Sequence, residues 1–363
     1  MRVPRSALAR TALSPVSALY GLLTDARNRL YDGRWLRITR LPVPVVSIGN
    51  ITVGGTGKTP IVIHLAKRLL EAGIRPLVLS RGYGSDGAGT RIVSDGLTVL
   101  LDAARGGDEP VLIARSLPGV PVVVDPDRVR GGLAAASRFN PGIVLLDDGY
   151  QHRRLARDLD IVLLDAVEPF GHYSVLPSGL LREPFTGLAR AGIFIVTHAP
   201  ESEPLGTLTA VVRRYNPSAP IVRAWHVPDA LVPIGPAGDA PEPVAGLAGL
   251  RGAPVYAFCG IANPQGFLTT IRELGARLVG ARAFGDHHPY TPGEIAALAR
   301  DAAEAGAAFV LTTEKDAARL SAPPGDLPFV ALRIRMRIEP EEPVLERLRN
   351  LIRGVGAEDM SRA

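Results

Sequence analysis

The sequence predicts an α/β protein in which a first domain, a parallel sheet flanked by helices, is followed by a second, smaller α/β domain. Short apolar segments recur along the chain, and helical patterns lie between several of them. The apolar segments do not alternate with polar residues, which is typical of parallel strands covered on both faces. The length of 363 residues also favours two domains, because a domain usually has about 150 residues.

The first alternation of strands and helices extends over residues 41–200. Residues 45–48 are predicted to form a buried strand that ends in Gly49, and residues 61–70 the helix that follows, with Pro60 near its first turn. The same criteria predict a helix at 127–137 and strands at 76–80, 122–124, 143–146, 161–164 and 193–197.

Residues 201–254 differ in composition and predict a connecting region. The 55 residues from Pro200 to Pro254 hold 10 of the 32 prolines. We expect short strands there, such as 221–225, and a surface loop around 233–243. The smaller domain is then expected over residues 255–363, with helices at 267–274 and 294–303 and strands at 255–259, 278–284, 308–312 and 329–334.

The composition excludes several classes of protein. Apolar residues make up 46% and charged residues 21% of the chain, which is typical of a globular protein and excludes disorder as the dominant state. The single cysteine, Cys259, cannot form an internal disulfide and fits a reducing compartment. No apolar run approaches the roughly 18–20 residues that span a bilayer. The first residues also lack the pattern of a signal peptide.

The positive charge of the chain is concentrated in residues 1–40. This segment has a net charge of +6, so that the remaining 323 residues sum to −1. The basic excess is therefore local, and we expect no nucleic-acid partner. The segment contains eight arginines: Arg2, Arg5, Arg10, Arg27, Arg29, Arg34, Arg37 and Arg40.

The same segment predicts an amphipathic helix. Val16, Leu19, Tyr20 and Leu23 have the spacing of one helical stripe, and Pro15 suggests that the helix begins near Ser14. An apolar stripe flanked by arginines is typical of a helix that lies on an anionic lipid surface. The alternative is a helix that packs on its own domain, and the residues alone leave both open.

A glycine-rich segment, residues 50–59, lies between the first predicted strand and its helix. Such a turn directs backbone N–H groups and the helix dipole at one point, where a phosphate binds. Lys58 would reach the β- and γ-phosphates and the Thr59 hydroxyl would bind Mg²⁺. Thr52 occupies the position where the usual motif has glycine. The segment predicts a P-loop NTPase-like fold and an ATP site formed by Gly54, Gly55, Thr56, Gly57, Lys58 and Thr59.

The rarity of lysine favours a phosphate-binding loop over an ordinary glycine-rich turn. The chain has only three lysines, at 58, 67 and 315, against 38 arginines. A surface charge in this protein would nearly always be arginine, so that lysine at 58 indicates a specific role.

Two carboxylates follow the predicted strand at 143–146. Asp147 and Asp148 would lie at the carboxyl edge of the sheet, where ligands of α/β sheets bind. Together with Thr59 they are the candidate Mg²⁺ ligands. A turn capped by aspartate would explain them equally well if the P-loop were absent.

Seven segments occur in an order that resembles one known family, the tetraacyldisaccharide 4′-kinases. They extend over most of residues 40–320, and their P-loop with threonine at 52 is the family's own form. The segments are 47–60 (SIGNITVGGTGKTP), 80–84 (SRGYG), 107–110 (GDEP), 147–152 (DDGYQH), 181–184 (LREP), 284–288 (FGDHH) and 312–316 (TTEKD).

The resemblance implies a peripheral membrane enzyme on the cytoplasmic face of a Gram-negative inner membrane. It would transfer the γ-phosphate of ATP, with Mg²⁺, to the 4′-hydroxyl of a tetraacylated glucosamine disaccharide 1-phosphate, forming lipid IVA. It also favours the membrane interpretation of the N-terminal helix.

The resemblance further implies roles for single residues. Asp108 would be the base that takes the hydroxyl proton, oriented by His287 from the second domain, whereas by itself Asp108 is more typical of a helix N-cap. His288 is the weaker functional candidate. The residues 312–316 by themselves predict a helix start that Thr313 caps with Asp316, and the resemblance adds a role of this segment in nucleotide contact or domain orientation. The candidate substrate-binding residues are Arg81, Tyr83, Arg128, Gln151, His152 and Arg182.

Two other functions are alternatives to the lipid kinase. A P-loop ATPase of the partitioning or targeting type has a signature lysine where this chain has Val53. A nucleic-acid-binding module would not explain Lys58, Asp147 and Asp148 together. The ATPase therefore stands as the main alternative.

Overall fold

One mostly parallel sheet runs through the molecule. A computed structural model describes residues 7–85, 87–199, 204–234, 246–320 and 327–360, with side chains from Arg10 to Ile352 within these ranges. The sheet of the described residues has twelve strands, in the order β10-β9-β11-β12-β8-β7-β6-β1-β5-β2-β4-β3. The strands are β1 (Val45–Asn50), β2 (Pro76–Ser80), β3 (Arg91–Asp95), β4 (Pro121–Val124), β5 (Ile143–Asp147), β6 (Leu159–Asp165), β7 (Ile193–Thr197), β8 (Ile221–Pro233), β9 (Pro254–Cys259), β10 (Arg277–Ala283), β11 (Phe309–Thr313) and β12 (Phe329–Glu339).

Helices cover this sheet and follow most of its parallel strands. No described helix combines the length and the apolar character needed to cross a membrane. The α-helices are α1 (Ala7–Asp32), α2 (Lys58–Glu71), α3 (Ala103–Gly106), α4 (Asp108–Ser116), α5 (Arg128–Phe139), α6 (Gly206–Tyr215), α7 (Pro264–Glu273), α8 (Pro292–Glu304), α9 (Glu314–Ala317) and α10 (Glu342–Met360).

The register of the central strands brings their polar ends together. Strand β1 pairs in parallel with β5 on one side and β6 on the other, and Ile48 lies opposite Asp147. Strands β1, β2, β5 and β7 are buried along their whole length, because α2 and its neighbours cover one face and α5 lies on the other. The P-loop and the carboxylates therefore follow adjacent strands at one sheet edge.

A long antiparallel ribbon, formed by β8 and β12, connects the two parts of the sheet. At one end of the ribbon, Val222 and Met336 belong to the core that contains α2. At the other end, Leu231 and Leu332 belong to the core under α7. The pairing shifts register between Arg333 and Ile334, where the ribbon passes from one core to the other. We call the part with β1–β7 the first lobe and the part with β9–β11 the second lobe.

The predicted fold class is confirmed, and most predicted strands and helices agree with the structure to within a few residues at their ends. The edge strand β3, which pairs antiparallel with β4, was not predicted. The connecting region contains α6 and the 13-residue β8 where only short strands were expected. Most of the loop expected at 233–243 lies outside the described residues. The domain boundaries at 40, 200 and 254 stay predictions, because one sheet continues through both lobes.

The predicted start of the N-terminal helix is wrong, because α1 already includes Ala7 and continues through Pro15. Proline removes one backbone hydrogen bond within a helix. The residues before it, Ala7 to Arg10, are strong helix formers, and they favour helix on the N-terminal side of the proline.

Helix α1 has a buried polar face and an exposed apolar face. On the buried face, Ser17 accepts a hydrogen bond from the Ser178 N–H at 2.9 Å, and Asn28 donates to Glu183 at 3.0 Å. On the exposed face lie Val16, Leu19, Leu22 and Leu23, with 54–69% of each side chain accessible. The predicted stripe is therefore split, since Tyr20 turns inward and donates to the backbone oxygen of Arg182 at 2.8 Å.

Candidate active site

The P-loop connects β1 to α2 and leaves an open cradle. Gly57 precedes α2 with φ of 75°, a left-handed conformation that favours glycine, and no side chain caps the helix there. Around Gly54 and Gly55 the space that a Cβ would occupy is open. The buried Thr56 hydroxyl has no hydrogen-bond partner within the described residues. N–H groups, a helix dipole and an unpartnered hydroxyl thus converge where a phosphate fits.

Lys58, the first residue of α2, points back along the sheet edge. Its Nζ lies 3.4 Å from Asn50 Oδ1 and 3.6 Å from Asp148 Oδ1, and only 12% of the side chain is exposed. The ammonium is therefore held over the ends of β1 and β5, where it would face the phosphates of a nucleotide in the cradle.

The two predicted carboxylates are in different electrostatic states. Burial, with the nearby charge of Glu109, raises the pKa of Asp147 to about 7, and Ser80 Oγ donates to its Oδ2 at 2.9 Å. Burial acts the same way on Asp148, but Lys58 and Arg182 outweigh it and lower the pKa of Asp148. Asp148 also has φ of 50°, a strained conformation for a residue other than glycine. Among the described residues Asp147 forms no ion pair, although Lys58 acts on it from a distance, whereas Asp148 is paired with both Lys58 and Arg182.

Arg182 and Gln151 extend this network toward α1. Arg182 Nη1 donates to both carboxylate oxygens of Asp148, at 2.9 and 3.1 Å, and lies 3.3 Å from Gln151 Oε1. Gln151 Nε2 donates to the Asn50 carbonyl oxygen and to Glu183, both at 2.9 Å. Glu183 is 1% exposed and also binds Asn28 of α1. Helix α1 therefore supports the residues that hold Arg182.

The other candidate substrate residues fall into two groups. Arg128 is buried, and burial together with the charge of Arg81 lowers its pKa. Burial and the charge of Arg128 lower the pKa of His152 to about 4, so that its imidazole is neutral at pH 7. Arg81 and Tyr83, in contrast, are exposed on the loop after β2, Tyr83 by 83%. Arg81 and Tyr83 line the cleft and are accessible to a large substrate, whereas the buried Arg128 and the half-buried His152 lie outside its lining.

Asp108 and His287 meet across the two lobes although they are 179 residues apart. His287 Nδ1 lies 3.1 Å from Asp108 Oδ2. Asp108 is the first residue of α4, and Gly107, with φ of 90°, occupies the N-cap position. The structure therefore rejects the N-cap interpretation of Asp108. His288 points away, binds Glu294 at 3.0 Å and stacks on Phe284, so that it serves the second lobe.

Four functional candidates were not assigned from the sequence. Asn50 contacts Lys58, Glu109 acts on Asp147, and Lys315 and Arg319 lie beside His287. Asn50, Glu109 and Lys315 lie within the motif segments named above, and this position is the sequence signal that could have identified them. Arg319 lies outside these segments, and only the fold brings it close. The predicted cap of α9 is confirmed, because Thr313 Oγ1 accepts from the Asp316 N–H at 3.1 Å.

Most of these groups line one continuous cleft between the lobes, whereas Arg128, His152 and His288 are not among its lining residues in the described part of the chain. Its lining includes residues from both sides, among them Lys58, Asp108, Asp147, Arg182 and His287. A phosphate cradle and a carboxylate–imidazole pair that face the same space are the two parts a phosphoryl-transfer enzyme needs.

Comparison with known proteins finds similarity to one family. A family model described as tetraacyldisaccharide-1-P 4′-kinase (LpxK) matches residues 9–353. The tetraacyldisaccharide 4′-kinase of Anaeromyxobacter sp. is 46% identical over 321 residues, which cover 88% of this chain and 83% of that protein. The tetraacyldisaccharide 4′-kinase of Pelobacter propionicus is 42% identical over 343 residues, or 94% of this chain and 92% of that one.

A solved structure agrees with these sequences. LpxK from Aquifex aeolicus, crystallised in complex with ATP, superposes with a TM-score of 0.76 at 33% identity, covering 95% of this chain and 99% of that one. The match includes both lobes, and it decides against the ATPase alternative. This chain belongs to the tetraacyldisaccharide-1-P 4′-kinase family.

Proposed function

We propose that this chain transfers the γ-phosphate of ATP to the 4′-hydroxyl of tetraacyldisaccharide 1-phosphate, with Asp108 and His287 as the proton-accepting pair and Lys58 on the phosphates. Family membership makes the chain an ATP-binding kinase of lipid A biosynthesis. The contact between Asp108 and His287, in the cleft that Lys58 also lines, is the observation that carries the residue assignments.

The nucleotide would lie with its phosphates in the cradle of residues 54–59. Backbone N–H groups at the start of α2 and the Thr56 hydroxyl would bind the β-phosphate, and Lys58 would reach the γ-phosphate. Lys58 would then exchange its long contact with Asp148, at 3.6 Å, for the more highly charged phosphate.

The oxygen groups at the sheet edge suit Mg²⁺. Asp147, the Thr59 hydroxyl and Asp148 would hold it, and Glu109 adds a further carboxylate nearby. No cluster of three or more His, Cys, Asp or Glu forms a ready metal cage in the described ranges, but Mg²⁺ in kinases takes one or two carboxylates and completes its shell with phosphate oxygens and water. Bound there, it would neutralise charge on the transferring phosphoryl group.

Asp108 would take the proton of the sugar hydroxyl. As the hydroxyl oxygen forms its bond to the γ-phosphorus, its O–H bond breaks and the proton moves to Asp108, while the bond from the γ-phosphorus to the bridging oxygen breaks and ADP leaves. Arg182 and the exposed Arg81 are the candidates to bind the 1-phosphate of the acceptor, since arginine suits phosphate geometry. Tyr83, Arg128, Gln151 and His152 would shape the sugar site.

Helix α1 would bring the cleft to the cytoplasmic face of the inner membrane. Its exposed Val16, Leu19, Leu22 and Leu23 form an apolar face on a basic segment, the combination that an anionic lipid surface binds. Its buried face contacts the residues around Arg182. The helix would thus hold the active site close to a substrate whose acyl chains lie in the membrane.

A transfer assay tests the chemistry. Purified protein in detergent is incubated with γ-labelled ATP, Mg²⁺ and tetraacyldisaccharide 1-phosphate, and the products are separated by thin-layer chromatography. We expect label in a lipid bisphosphate, and none when Mg²⁺ is omitted. Label that appears only as free phosphate, from folded protein that binds ATP, would refute the assignment.

Membrane binding is tested with the double variant Leu19→Glu/Leu23→Glu. We expect it to lose at least about tenfold in binding to anionic vesicles, because two apolar side chains no longer enter the lipid. The matched control is Leu133→Glu/Ser137→Glu, which adds the same charge with the same spacing at two exposed positions of α5. Equal vesicle binding by the α1 variant and the wild type would exclude α1 as the contact.

Deleting residues 1–30 is a poorer test of membrane binding. The deletion also removes Tyr20 and Asn28, which contact Arg182 and Glu183 from α1. It would therefore disturb the cleft together with the lipid contact, and the two effects could not be separated.

A further inference from the structure

The imidazole of His287 is surrounded by four charged side chains. Its Nδ1 lies 3.1 Å from Asp108 Oδ2 and 3.4 Å from Arg319 Nη2. Its Nε2 lies 3.2 Å from Lys315 Nζ and 3.8 Å from Asp286 Oδ2. The ring therefore has a carboxylate and a cation near each nitrogen, and the distances decide which contacts are hydrogen bonds.

Lysine restricts the protonation of the ring because an ammonium group only donates hydrogen bonds. The short contact of Lys315 with Nε2 is a hydrogen bond only if Nε2 carries a lone pair. The proton of a neutral ring is then on Nδ1, where it faces Asp108 Oδ2 at 3.1 Å. Both close contacts of the ring are satisfied in this form.

The other two forms fit worse. With the proton on Nε2, the lone pair of Nδ1 would accept from Arg319 over 3.4 Å but would face the closer Asp108 carboxylate at 3.1 Å. Lys315 would face an N–H group, and Asp286 at 3.8 Å is too far to accept. The doubly protonated ring would likewise place an N–H group against Lys315 at 3.2 Å.

We infer that Lys315 is a positioning residue that holds His287 as the neutral imidazole with its proton on Nδ1, directed at Asp108. This inference rests on the proposed function, since it deepens the role of the Asp108–His287 pair. Oδ2 of Asp108 is then occupied by the imidazole N–H, and Oδ1 is the oxygen left to receive the hydroxyl proton of the acceptor.

Hydrogen bonds through Gly260 hold the segments of Lys315 and His287 in a fixed relative position. Asp316, the next residue along α9, is fully buried and accepts a hydrogen bond from the Gly260 N–H at 3.1 Å. The Gly260 carbonyl oxygen in turn accepts from the His287 N–H at 3.1 Å. His287 has φ of 60°, a strained conformation that persists only where its surroundings enforce it.

The choice of residue supports a specific role. Lysine occurs three times in this chain and arginine 38 times, so that a general cation at 315 would be arginine. An ammonium group is compact and has three donors, so that Lys315 can contact His287 Nε2 and, at 3.4 Å, Asp286 Oδ1 at the same time. Arg319, which is 8% exposed, instead lies 3.4 Å from Asp108 Oδ2.

Nitrogen-15 NMR of the full chain labelled in its histidines tests the inference directly. The two ring nitrogens of each neutral tautomer have distinct shifts, and the seven histidines allow assignment through His287→Gln. We expect wild-type His287 to be neutral with the proton on Nδ1 at pH 7.5. A wild-type ring that is protonated on Nε2, or on both nitrogens, would overturn the inference without any variant.

Variants at 315 give the second readout. Lys315→Met should shift His287 to a mixture of forms and lower kcat about tenfold with KM for ATP unchanged, whereas Lys315→Arg, which keeps a donor-only cation but loses the compact ammonium, should fall between Lys315→Met and the wild type in both properties. Lys67→Met is the matched control. An unchanged His287 spectrum in Lys315→Met would refute the role of Lys315, whereas a wild type that shows the expected tautomer but transfers no phosphate to the lipid would refute the proposed function alone.

Discussion

The cleft has two halves that are built in different ways. The phosphate half consists of Asn50, Lys58, Asp147, Asp148 and Arg182, which lie at or near the strand ends of the first lobe. Asn50 and Asp147 are buried, and the other three side chains are 12–32% exposed. The proton half pairs Asp108 of the first lobe with His287, Lys315 and Arg319 of the second. Asp108 and His287 are 34% and 49% exposed, and their contact is made by side chains.

This difference separates binding from chemistry. The pairing of β1 with β5 fixes the phosphate half as soon as the first lobe folds. The proton half exists only while the second lobe lies against α4. Changes in the phosphate half should therefore affect both nucleotide binding and transfer, and changes in the proton half should affect transfer alone.

The largest effect is expected from Lys58→Ala, with Lys67→Ala of the same helix as its control. Lys58 is 12% exposed beside Asp148, whereas Lys67 is exposed. Loss of the ammonium should lower kcat/KM for ATP about 10³-fold or more, because the transferring phosphate loses its cation. Labelled transfer and nucleotide titration measure the two effects, and equal activity of both variants would contradict the assignment of Lys58.

A smaller effect, confined to transfer, is expected in the proton half. Asp108→Asn and His287→Gln should each lower kcat about 10²–10³-fold, and the double variant should be little worse, since the two residues act as one unit. Nucleotide affinity should stay within about twofold.

His288→Gln is the control for this pair, because His288 contacts Glu294 and Phe284 instead of the cleft. Additive losses in the double variant would show that Asp108 and His287 act separately. A large drop in nucleotide affinity would mean that the two halves are not independent.

The smallest effect concerns the stability of the phosphate half. Burial raises the pKa of Asp147 to about 7 in the folded chain, from an unfolded value of 3.8. Between these values the folded state keeps a proton that the unfolded state releases, so that this group makes the protein less stable as the pH rises from about 4 to 7.

Asp147→Asn removes that dependence. Urea unfolding of the wild type and the variant at pH 5 and pH 8 measures it. As the pH rises from 5 to 8, the variant should gain about 3 kcal/mol of stability relative to the wild type. The same difference between the two proteins at both pH values would show that Asp147 is ionised throughout.

The two halves also differ in how far the sequence predicted them. Lys58, Asp147 and Asp148 follow apolar segments whose strand character is local, and parallel pairing brings such strand ends to one edge without further information. The pairing of Asp108 with His287 was expected only through the family resemblance, because no local pattern reports a contact over 179 residues.

The features that the sequence did not predict depend on tertiary contacts. Strand β3 forms at the sheet edge by pairing antiparallel with β4, and β8 extends to 13 residues because β12 pairs with most of its length. Arg319 reaches Asp108 through the packing of α9 against α4. In each case a partner distant in the sequence decides the outcome.

The ribbon of β8 and β12 also shows that the second lobe is inserted between two neighbouring strands of the sheet. The chain leaves the first lobe along β8 and returns along β12, and Pro233 lies opposite Val330 at the end of the ribbon within the second lobe. The two chain segments that enter and leave the second lobe lie side by side there, and the Ile234 N–H donates to the Phe329 carbonyl oxygen at 2.9 Å. A short turn joining these two strands would complete a β-hairpin and leave the first lobe's sheet order intact. The first lobe thus holds the phosphate site and Asp108, and the inserted second lobe brings His287, Lys315 and Arg319 to that carboxylate.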